Sequence, residues 1–269
     1  MAGRILITGG AGFIGSHLVD LLLSEGVTKD KLVLLIPKNE SLKNLKHQDL
    51  NIIRGDIRNS DDVKKSMVDV NVVYHLAAKT SLDGKTYDDF KDTNVEGTKN
   101  LLMASQKKHL KKFIYFSSIG IYGFPADVGD ITNWDESQPK HPSEGYGQSK
   151  LNAEKLVIEI CSKKNIPCAI IRPTTVYGPR GKQGIAELYK AIKNNYFFFI
   201  GSGNNKMDYV YVKDLVKGAR LAQLSPLVSG DYILGAGKHI TFRYMVSIIG
   251  KKLNKKIPSW YIPKPFGLI

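Results

Sequence analysis

The chain is poor in cysteine, has no long apolar run and is short of acidic residues. Its 269 residues include only Cys161 and Cys168, a pair whose spacing provides neither a disulfide framework nor a metal site. No apolar stretch approaches the roughly 20 residues of a membrane-spanning helix, and no signal-peptide pattern opens the chain. The six histidines are dispersed, without cysteine or carboxylate partners. We therefore expect a cytoplasmic protein with no membrane span and no metal.

The shortage of acidic residues leaves a strongly basic protein. Asp and Glu number 25 against 39 Lys and Arg, which gives a net charge of +14. Such charge is compatible with a nucleic-acid partner or an anionic substrate. The lysines, however, fall in scattered pairs near predicted helix ends, where they complement the helix dipole, and no nucleic-acid recognition motif accompanies them. We interpret the charge as solvated surface and expect no nucleic-acid partner.

A strand–helix alternation runs through the first two thirds of the chain. Apolar, β-branched segments occupy residues 5–8, 32–36, 51–53, 72–75, 113–117 and 169–172. Stretches with helical periodicity separate them. Strands this apolar are buried on both faces, which requires a parallel sheet with helices on each side. The predicted fold class is α/β, a Rossmann-type doubly wound parallel sheet.

Three glycines follow the first predicted strand and open the first helix. Gly9, Gly12 and Gly15 form a GxxGxxG pattern, with Phe13 and Ile14 in its last interval. Glycines allow a tight turn and close approach of the backbone to a pyrophosphate, and a helix N-terminus offers free N–H groups. This strand–turn–helix context predicts a dinucleotide-binding loop.

The end of the second strand bears on which dinucleotide binds. An acidic residue usually stands there and accepts hydrogen bonds from the adenosine ribose, which selects NAD. Here the strand ends in Ile36, Pro37 and Lys38, with Lys43 nearby. A 2′-phosphate would meet positive charge, so we favour NADP(H) over NAD(H). The alternative is that these lysines only solvate a loop and the site accepts either cofactor.

A hydroxyl–amine constellation follows the fifth strand. Tyr146 and Lys150 are four residues apart, on one face of a predicted helix, where the ammonium is expected to lower the phenol pKa. Ser117 and Ser118 stand at the carboxyl end of the fifth strand, the edge at which open α/β sheets bind ligands. The pattern predicts acid–base chemistry at Tyr146, with Ser118 holding the reacting oxygen.

These motifs together resemble the extended short-chain dehydrogenase/reductase family, the NAD(P)-dependent epimerase/dehydratase group. The resemblance covers nearly the whole chain. Further matching segments are residues 55–57, 75–79, 94–98, 172–179 and 208–214. The resemblance implies hydride transfer between a secondary alcohol or ketone and the nicotinamide, with Ser118, Tyr146 and Lys150 as the catalytic group.

The resemblance also implies contacts to the cofactor and the substrate. The expected cofactor contacts are Gly9, Gly12, Phe13, Ile14, Gly15, Lys38, Asp56, Ile57, Leu76, Ala77, Ala78, Lys79, Asn94, Ser117, Tyr146, Lys150, Pro173, Thr174 and Val176. The expected substrate contacts are Lys79, Ile119, Thr175, Arg180 and Met207.

Domain organisation follows from a change of texture after Arg172, where prolines and glycines interrupt the regular pattern. We expect residues 1–172 to form the NAD(P)-binding domain with the catalytic group. Residues 173–269 are then mainly a substrate-binding lobe, with segments that return to the core. The apolar final residues resemble the start of another element, so we expect this lobe to be truncated.

Three departures from the family pattern bear on the reaction. Sugar-nucleotide dehydratases carry an acidic pair where Ile119 and Gly120 stand, so elimination of water is not expected. Nucleotide-sugar epimerases usually carry Asn at Thr175 and Arg at Met207, and losing that Arg removes a charge-assisted phosphate contact. The segment 201–210 is similar to the 3β-hydroxysteroid dehydrogenase and dihydroflavonol reductase branches.

The main expectation is therefore an NAD(P)-dependent alcohol/ketone oxidoreductase with a small-molecule substrate. The alternative is a nucleotide-sugar 4-epimerase of the UDP-hexose type that retains NAD. A third class, in which the bound dinucleotide is only structural or sensory, is disfavoured by the intact Ser118, Tyr146 and Lys150. The family resemblance also leads us to expect a homodimer, formed by the helices that begin near Thr93 and Tyr146.

Overall fold

The structure is a computed structural model that describes residues 3–47, 49–81, 83–105, 110–123, 135–227 and 229–262. The chain divides into two compact units. Unit 1 comprises Met1–Pro173 with Lys213–Leu234, and unit 2 comprises Thr174–Val212 with Gly235–Ile269. None of the described helices is both long and apolar enough to cross a bilayer.

The described strands are short and follow one another along the whole chain. In order they are β1 (Arg4–Thr8), β2 (Leu32–Ile36), β3 (Asn51–Arg54), β4 (Val70–His75), β5 (Lys112–Phe116), β6 (Cys168–Pro173), β7 (Thr175–Tyr177), β8 (Phe199–Ile200), β9 (Lys206–Met207), β10 (Tyr209–Tyr211), β11 (Ser229–Leu234), β12 (Ile240–Thr241) and β13 (Tyr261–Ile262).

The described helices alternate with these strands. They are α1 (Phe13–Ser24), α2 (Ser60–Ser66), α3 (Tyr87–Phe90), α4 (Gly97–Ala104), α5 (Gly145–Lys164), α6 (Ile185–Lys193), α7 (Val212–Leu224) and α8 (Phe242–Lys252). A π-helical segment, Lys91–Glu96, joins α3 to α4. Short 3₁₀ turns occupy Lys29–Lys31 and Ile119–Tyr122.

Unit 1 is built on a seven-stranded sheet in the order β11-β6-β5-β4-β1-β2-β3, with every neighbouring pair parallel. Every residue of β2, β5 and β6 is buried. Strands of this kind need helices on both faces of the sheet. The predicted doubly wound parallel fold is thereby confirmed.

The strand order places the ligand-binding edge. From β1 the chain continues to β2 and β3 on one side, while β4, β5 and β6 lie on the other. The direction of winding therefore reverses between β1 and β4, and ligands of open α/β sheets bind beyond the carboxyl ends of strands at such a point. Thr8 and His75 end these two strands and are paired in the sheet.

The core of unit 1 explains both cysteines. Cys161 on α5 and Cys168 on β6 are free thiols buried in the cluster that also contains Leu6, Val73 and Phe113. They fill space between the catalytic-motif helix and the sheet. Both thiols are therefore packing residues of this core.

The described part of unit 2 contains three two-stranded sheets. Strand β7 pairs with β10 and β8 with β13, both in parallel, while β9 and β12 are antiparallel. Helices α6 and α8 share a core centred on Ile192, Phe199 and Val246. Short strands in a Gly- and Pro-rich context agree with the change of texture seen after Arg172.

At Gly15 the helix α1 comes very close to the backbone of the preceding turn. A Cβ at this position would stand 2.2 Å from the Gly9 carbonyl oxygen and 2.8 Å from the Gly10 Cα. Because both are backbone atoms, Gly15→Ala is expected to destabilise the protein by about 1 to 3 kcal/mol in denaturant unfolding. Gly12→Ala is the matched control, since its Cβ would meet the Gly9 oxygen at 3.1 Å. Equal effects from the two variants would contradict this account.

Candidate active site

The glycine loop presents backbone donors at the edge of the sheet. Gly9 has φ of +72°, and a Cβ there would lie 2.9 Å from the Ala77 nitrogen, so the loop passes close to the segment after β4. The first intrahelical bond of α1 runs from the Ser16 N–H to the Gly12 carbonyl at 3.0 Å. The N–H groups of the preceding first turn therefore face outward, at the positive end of the helix dipole. This arrangement fits a dinucleotide pyrophosphate.

A cavity of about 800 Å³ opens beyond the carboxyl ends of β2 and β3. Its lining residues are Pro37, Lys38, Asn39, Gly55, Asp56, Arg58, Asn59, Asp62, Asp92 and Glu96. The structure thus brings together Lys38 and Asp56, both of which the sequence assigns to the cofactor. The cavity is also acidic, which the sequence did not indicate. Four carboxylates line it against two cations.

Two arginines organise this cavity. Arg54 Nη1 donates to the carbonyls of Pro37 at 2.9 Å and Glu40 at 2.8 Å, which fixes the loop that carries Lys38. Arg58 Nη2 approaches Asp56 Oδ2 to 2.6 Å. The hydrogen bond from Arg58 lowers the pKa of Asp56. The Arg58 charge is therefore already neutralised within the cavity.

Ser118, Tyr146 and Lys150 meet at the carboxyl end of β5. The Ser118 side chain lies close enough to the Tyr146 phenol to lower its pKa. Lys150 Nζ donates to the Phe116 carbonyl at 2.8 Å, two residues before Ser118. Phe90 packs edge-on against the Tyr146 ring, with centroids 5.8 Å apart. The structure thus assembles the predicted hydroxyl–amine group on α5 and the end of β5.

Burial dominates the ionisation of this group. Burial raises the pKa of Tyr146 to about 12, and the neighbouring Ser118 hydroxyl opposes that rise only in part. Burial also lowers the pKa of Lys150 to about 7, against the attraction of Glu154. Lys150 is not among the groups that shift the Tyr146 pKa here, because its amine is directed at the Phe116 carbonyl, so the expected lowering stays a prediction.

A buried ion pair lies one helical turn beyond Lys150. Arg172 at the end of β6 and Glu154 on α5 are both fully buried. Their contact is bidentate, with Nε–Oε1 and Nη2–Oε2 distances of 3.0 Å each. Burial alone would lower the Arg172 pKa, but the hydrogen bonds and charge of Glu154 outweigh it and raise that pKa. The fork-like geometry satisfies both ions in the interior.

Arg172 makes two further contacts that extend this cluster. Its Nη1 donates to the Tyr122 hydroxyl at 2.7 Å and lies 2.7 Å from Asp231 Oδ2. Tyr122 ends the 3₁₀ turn that begins directly after Ser118. Asp231 lies on the neighbouring strand β11. One guanidinium therefore fastens the helix of Tyr146, the turn after Ser118 and the edge of the sheet.

A second buried network starts at His75. Its Nδ1 lies 2.7 Å from Thr8 Oγ1 and its Nε2 lies 2.8 Å from Thr98 Oγ1. The Thr98 hydroxyl donates to the Asn94 carbonyl at 2.7 Å, so Thr98 accepts from His75 Nε2–H and Nδ1 accepts from Thr8. Burial lowers the pKa of His75 to about 3. The ring is therefore neutral, with its proton assigned to Nε2 by this network.

Asn94 continues the network to the Tyr146 turn. Its side chain accepts from the Lys79 N–H at 2.8 Å and donates to the Lys79 carbonyl at 3.0 Å. It also donates to Ser149 Oγ at 2.9 Å, and Ser149 donates to the Tyr146 carbonyl at 2.7 Å. Hydrogen bonds thus connect the segment after β4 with the first turn of α5.

Sequence reasoning missed several of these polar groups. Glu154 stands four residues after Lys150, and Arg172 interrupts the apolar run of β6. A charge within a buried-strand pattern signals an internal partner, because unpaired buried charges are rarely tolerated. His75 carried a comparable signal at the end of β4. Ile57 was assigned to the cofactor from the sequence. In the structure its side chain packs against Gly97, where an added Cβ would lie 2.7 Å from the Ile57 side chain.

The other predicted residues divide between the two units. Leu76, Ala77, Ala78 and Lys79 follow β4, and Pro173 ends β6, all in unit 1. Unit 2 holds Thr174, Thr175, Val176, Arg180 and Met207. Arg180 has φ of +69°, and Met207 Sδ accepts a hydrogen bond from the Tyr209 hydroxyl at 3.2 Å.

Known proteins with similar sequences include 4-epimerases, dTDP-D-glucose 4,6-dehydratases and a 3-beta-hydroxysteroid dehydrogenase. A model of the NAD dependent epimerase/dehydratase family matches residues 5–235. A putative UDP-glucose 4-epimerase of Methanocaldococcus jannaschii is 35% identical over 93% of this chain and 82% of its own length. The N-acetyl-α-D-glucosaminyl-diphospho-ditrans,octacis-undecaprenol 4-epimerase of Escherichia coli O157:H7 is 28% identical over 100% of this chain and 78% of its own length.

A solved structure shows the same similarity. The UDP-glucose 4-epimerase of Thermus thermophilus, in complex with NAD, superposes with a TM-score of 0.84. It is 27% identical, over 97% of this chain and 86% of the solved chain.

The Arg172 cluster yields a stability prediction. Glu154→Gln leaves a buried guanidinium without its main counter-charge, so we expect a loss of about 3 kcal/mol in the free energy of unfolding. Glu159→Gln on the same helix is the control, because Glu159 and Lys163 form an exposed ion pair and little change is expected. Similar unfolding midpoints for both variants would refute the role given to the buried pair.

Lys150 yields a pH-dependent prediction. Its pKa of about 7 in the folded chain lies below the ordinary 10.5, so the unfolded chain binds the extra proton between these values. The cost of burying the ammonium is therefore complete below pH 7 and falls as pH rises. Relative to Lys150→Met, the wild type should gain about 2 to 3 kcal/mol of stability between pH 7 and pH 9.

Chemical denaturation at several pH values measures this gain. Lys155→Met is the control, since Lys155 is exposed on the same helix. A stability difference between wild type and Lys150→Met that is independent of pH would show that Lys150 keeps an ordinary pKa.

Proposed function

Because this chain belongs to the NAD dependent epimerase/dehydratase family, we propose that it is a 4-epimerase of sugars linked through a diphosphate, with retained NAD. The observation that carries the proposal is the meeting of Ser118, Tyr146 and Lys150 at the carboxyl end of β5, on a chain whose relatives include 4-epimerases. The enzyme is of the extended short-chain dehydrogenase/reductase type and uses a nicotinamide cofactor.

Tyr146 is the proposed acid–base residue. In the reaction it takes the proton of the substrate C4 hydroxyl and returns it after the configuration has been inverted. Ser118 lies near the phenol, so it is placed to hold the same oxygen. The bound dinucleotide supplies the reversible hydride exchange at C4. Because oxidation and reduction balance within one turnover, no net reductant is consumed.

Lys150 is the proposed partner of Tyr146. With a pKa of about 7 the amine changes charge readily near neutral pH. Glu154 favours its protonated form, which opposes the effect of burial. In that form Lys150 stabilises the phenolate. We therefore propose that the Tyr146 pKa falls, as the sequence predicts, when cofactor and substrate are bound.

The remaining assignments are also proposals. The glycine loop binds the pyrophosphate, the cavity beyond β2 and β3 binds the adenosine, and Asn94 with Lys79 borders the nicotinamide ribose. The proposed substrate contacts are Lys79, Ile119, Thr175, Arg180 and Met207. The protein acts in the cytoplasm as a homodimer. Met103 on α4 and Ile158 on α5, which are 61% and 51% exposed, support a helical dimer face.

A second candidate is an alcohol/ketone oxidoreductase that uses NADP(H). Lys38 supports it, because that cation lines the cavity proposed for the adenosine ribose. Met207 also supports it, since a thioether stands where epimerases carry a phosphate-binding arginine. Against this candidate, four carboxylates share the cavity with Lys38 and Asp56 already neutralises Arg58, so a 2′-phosphate would meet net negative charge.

Tyr146→Phe tests the proposed chemistry. Removing the hydroxyl eliminates proton transfer but keeps the ring packed on Phe90, so interconversion of UDP-glucose and UDP-galactose should slow by about a hundred-fold to ten-thousand-fold. Product ratios measured by nuclear magnetic resonance report the rate. Tyr189→Phe, at an exposed position on α6, is the control and should keep full activity. Undiminished epimerisation by Tyr146→Phe would contradict the proposal.

A further inference from the structure

The Lys150 ammonium is buried at a place that offers it little charge of opposite sign. Its Nζ donates to the Phe116 carbonyl at 2.8 Å. Within the described ranges Lys150 forms no ion pair, although Glu154 is one helical turn away. Both carboxylate oxygens of Glu154 accept from Arg172 at 3.0 Å, and Lys140 Nζ lies 3.8 Å from one of them. The charge of Lys150 therefore depends on another kind of contact.

That contact is with the ring of Tyr115 on β5. Lys150 Nζ lies over this ring, 5.0 Å from its centroid. At such a distance a cation is attracted to the negative face of an aromatic ring. Burial raises the pKa of the Tyr115 phenol well above its ordinary value, so Tyr115 stays neutral and is not a counter-ion. Its hydroxyl is buried without a hydrogen-bond partner among the described residues, so the ring is the part of Tyr115 that serves Lys150.

The titratable groups around this contact come from four elements. They are His75 on β4, Tyr115 on β5, Tyr146 and Glu154 on α5, and Arg172 on β6. Burial, and then the charge of Lys150, lower the pKa of His75 to about 3, so His75 is neutral. Its ring lies 5.6 Å from the Tyr115 ring between centroids. Tyr146 is neutral as well, because burial raises its pKa to about 12. The ammonium is therefore surrounded by neutral rings and by a carboxylate that Arg172 already binds.

We propose that Tyr115 is a positioning residue, whose ring holds the Lys150 ammonium charged beside Tyr146 without neutralising the field of that charge. A carboxylate in the same place would attract the ammonium more strongly, but it would cancel the positive potential at the phenol. An aromatic face attracts the cation and carries no net charge, so the potential is retained. The role in the reaction rests on the proposed function, in which protonated Lys150 stabilises the Tyr146 phenolate.

Fluorination of the ring tests the contact while nearly preserving the shape of the side chain. Fluorine withdraws electron density from the ring face and so weakens its attraction for a cation. Tyr115→Phe keeps the ring, so the Lys150 pKa should stay at about 7. Pentafluorophenylalanine at the same position should lower the Lys150 pKa by about one pH unit, and Tyr115→Leu should do the same. Carbon nuclear magnetic resonance of the lysine Cε reports this pKa, with the Lys150 signal assigned by its absence in Lys150→Met.

Phe113→Leu is the matched control for the loss of a buried ring. Phe113 lies on the same strand and in the same core as Tyr115, and its ring packs against His75 with centroids 6.3 Å apart. This variant should be less stable but should keep the Lys150 pKa of the wild type. A Lys150 pKa that pentafluorophenylalanine leaves unchanged, or that falls equally in Phe113→Leu, would overturn the proposal. If Tyr115→Leu does not fold, the fluorinated ring still decides, because it fills the same space.

The pH dependence of epimerisation links the contact to the reaction. Activity that requires protonated Lys150 falls as the pH rises through the Lys150 pKa, so this limb of the profile should move to lower pH by the same amount in the pentafluorophenylalanine enzyme. A shifted Lys150 titration in a protein without Tyr146-dependent turnover would overturn the proposed function alone. Tyr146-dependent turnover with a profile and a Lys150 titration that fluorination does not change would overturn the role of Tyr115 alone.

Discussion

The buried contact between Arg172 and Glu154 is the interaction on which the site of unit 1 depends. Two charges are withdrawn from water, and such a pair is tolerated only when its geometry satisfies both ions. Arg172 meets this condition with bidentate bonds to Glu154 and further contacts to Tyr122 and Asp231. The helix of Tyr146, the turn after Ser118 and two strands are thereby held in one arrangement. The same carboxylate counteracts the effect of burial on the Lys150 pKa.

Local sequence rules predict the parts of unit 1 well. Buried strands of β-branched residues indicate a parallel sheet, and the winding order then places Gly9, Ser118 and Tyr146 at its carboxyl edge. Spacing along the chain cannot predict the partner of Arg172, because Tyr122, Glu154 and Asp231 reach it from three separate segments. Nor can it predict that Lys150 is directed at the Phe116 carbonyl, which depends on the packing of α5 against β5.

The choice between NAD and NADP depends on all the charges that line the cavity, and not on one position in the sequence. Along the chain Lys38 stands where an acidic residue is usual, which favours a 2′-phosphate. In the folded protein that lysine shares a cavity with Asp56, Asp62, Asp92 and Glu96. The basic charge of the whole chain is likewise uneven, because the described part of unit 2 holds eleven cations and two carboxylates. Net charge alone distinguishes neither of these environments.

The central claim is that a hydride leaves C4 of a diphosphate-linked sugar and returns to the same carbon within one turnover. No net oxidation or reduction then occurs. The most direct measurement is to incubate the purified enzyme with UDP-glucose, without added nicotinamide, and to follow the C4 configuration together with the nicotinamide absorbance. The expected result is the C4 epimer, with bound NAD and no net change in its redox state. A protein that purifies without nicotinamide and consumes NADPH in proportion to a reduced ketone would contradict it.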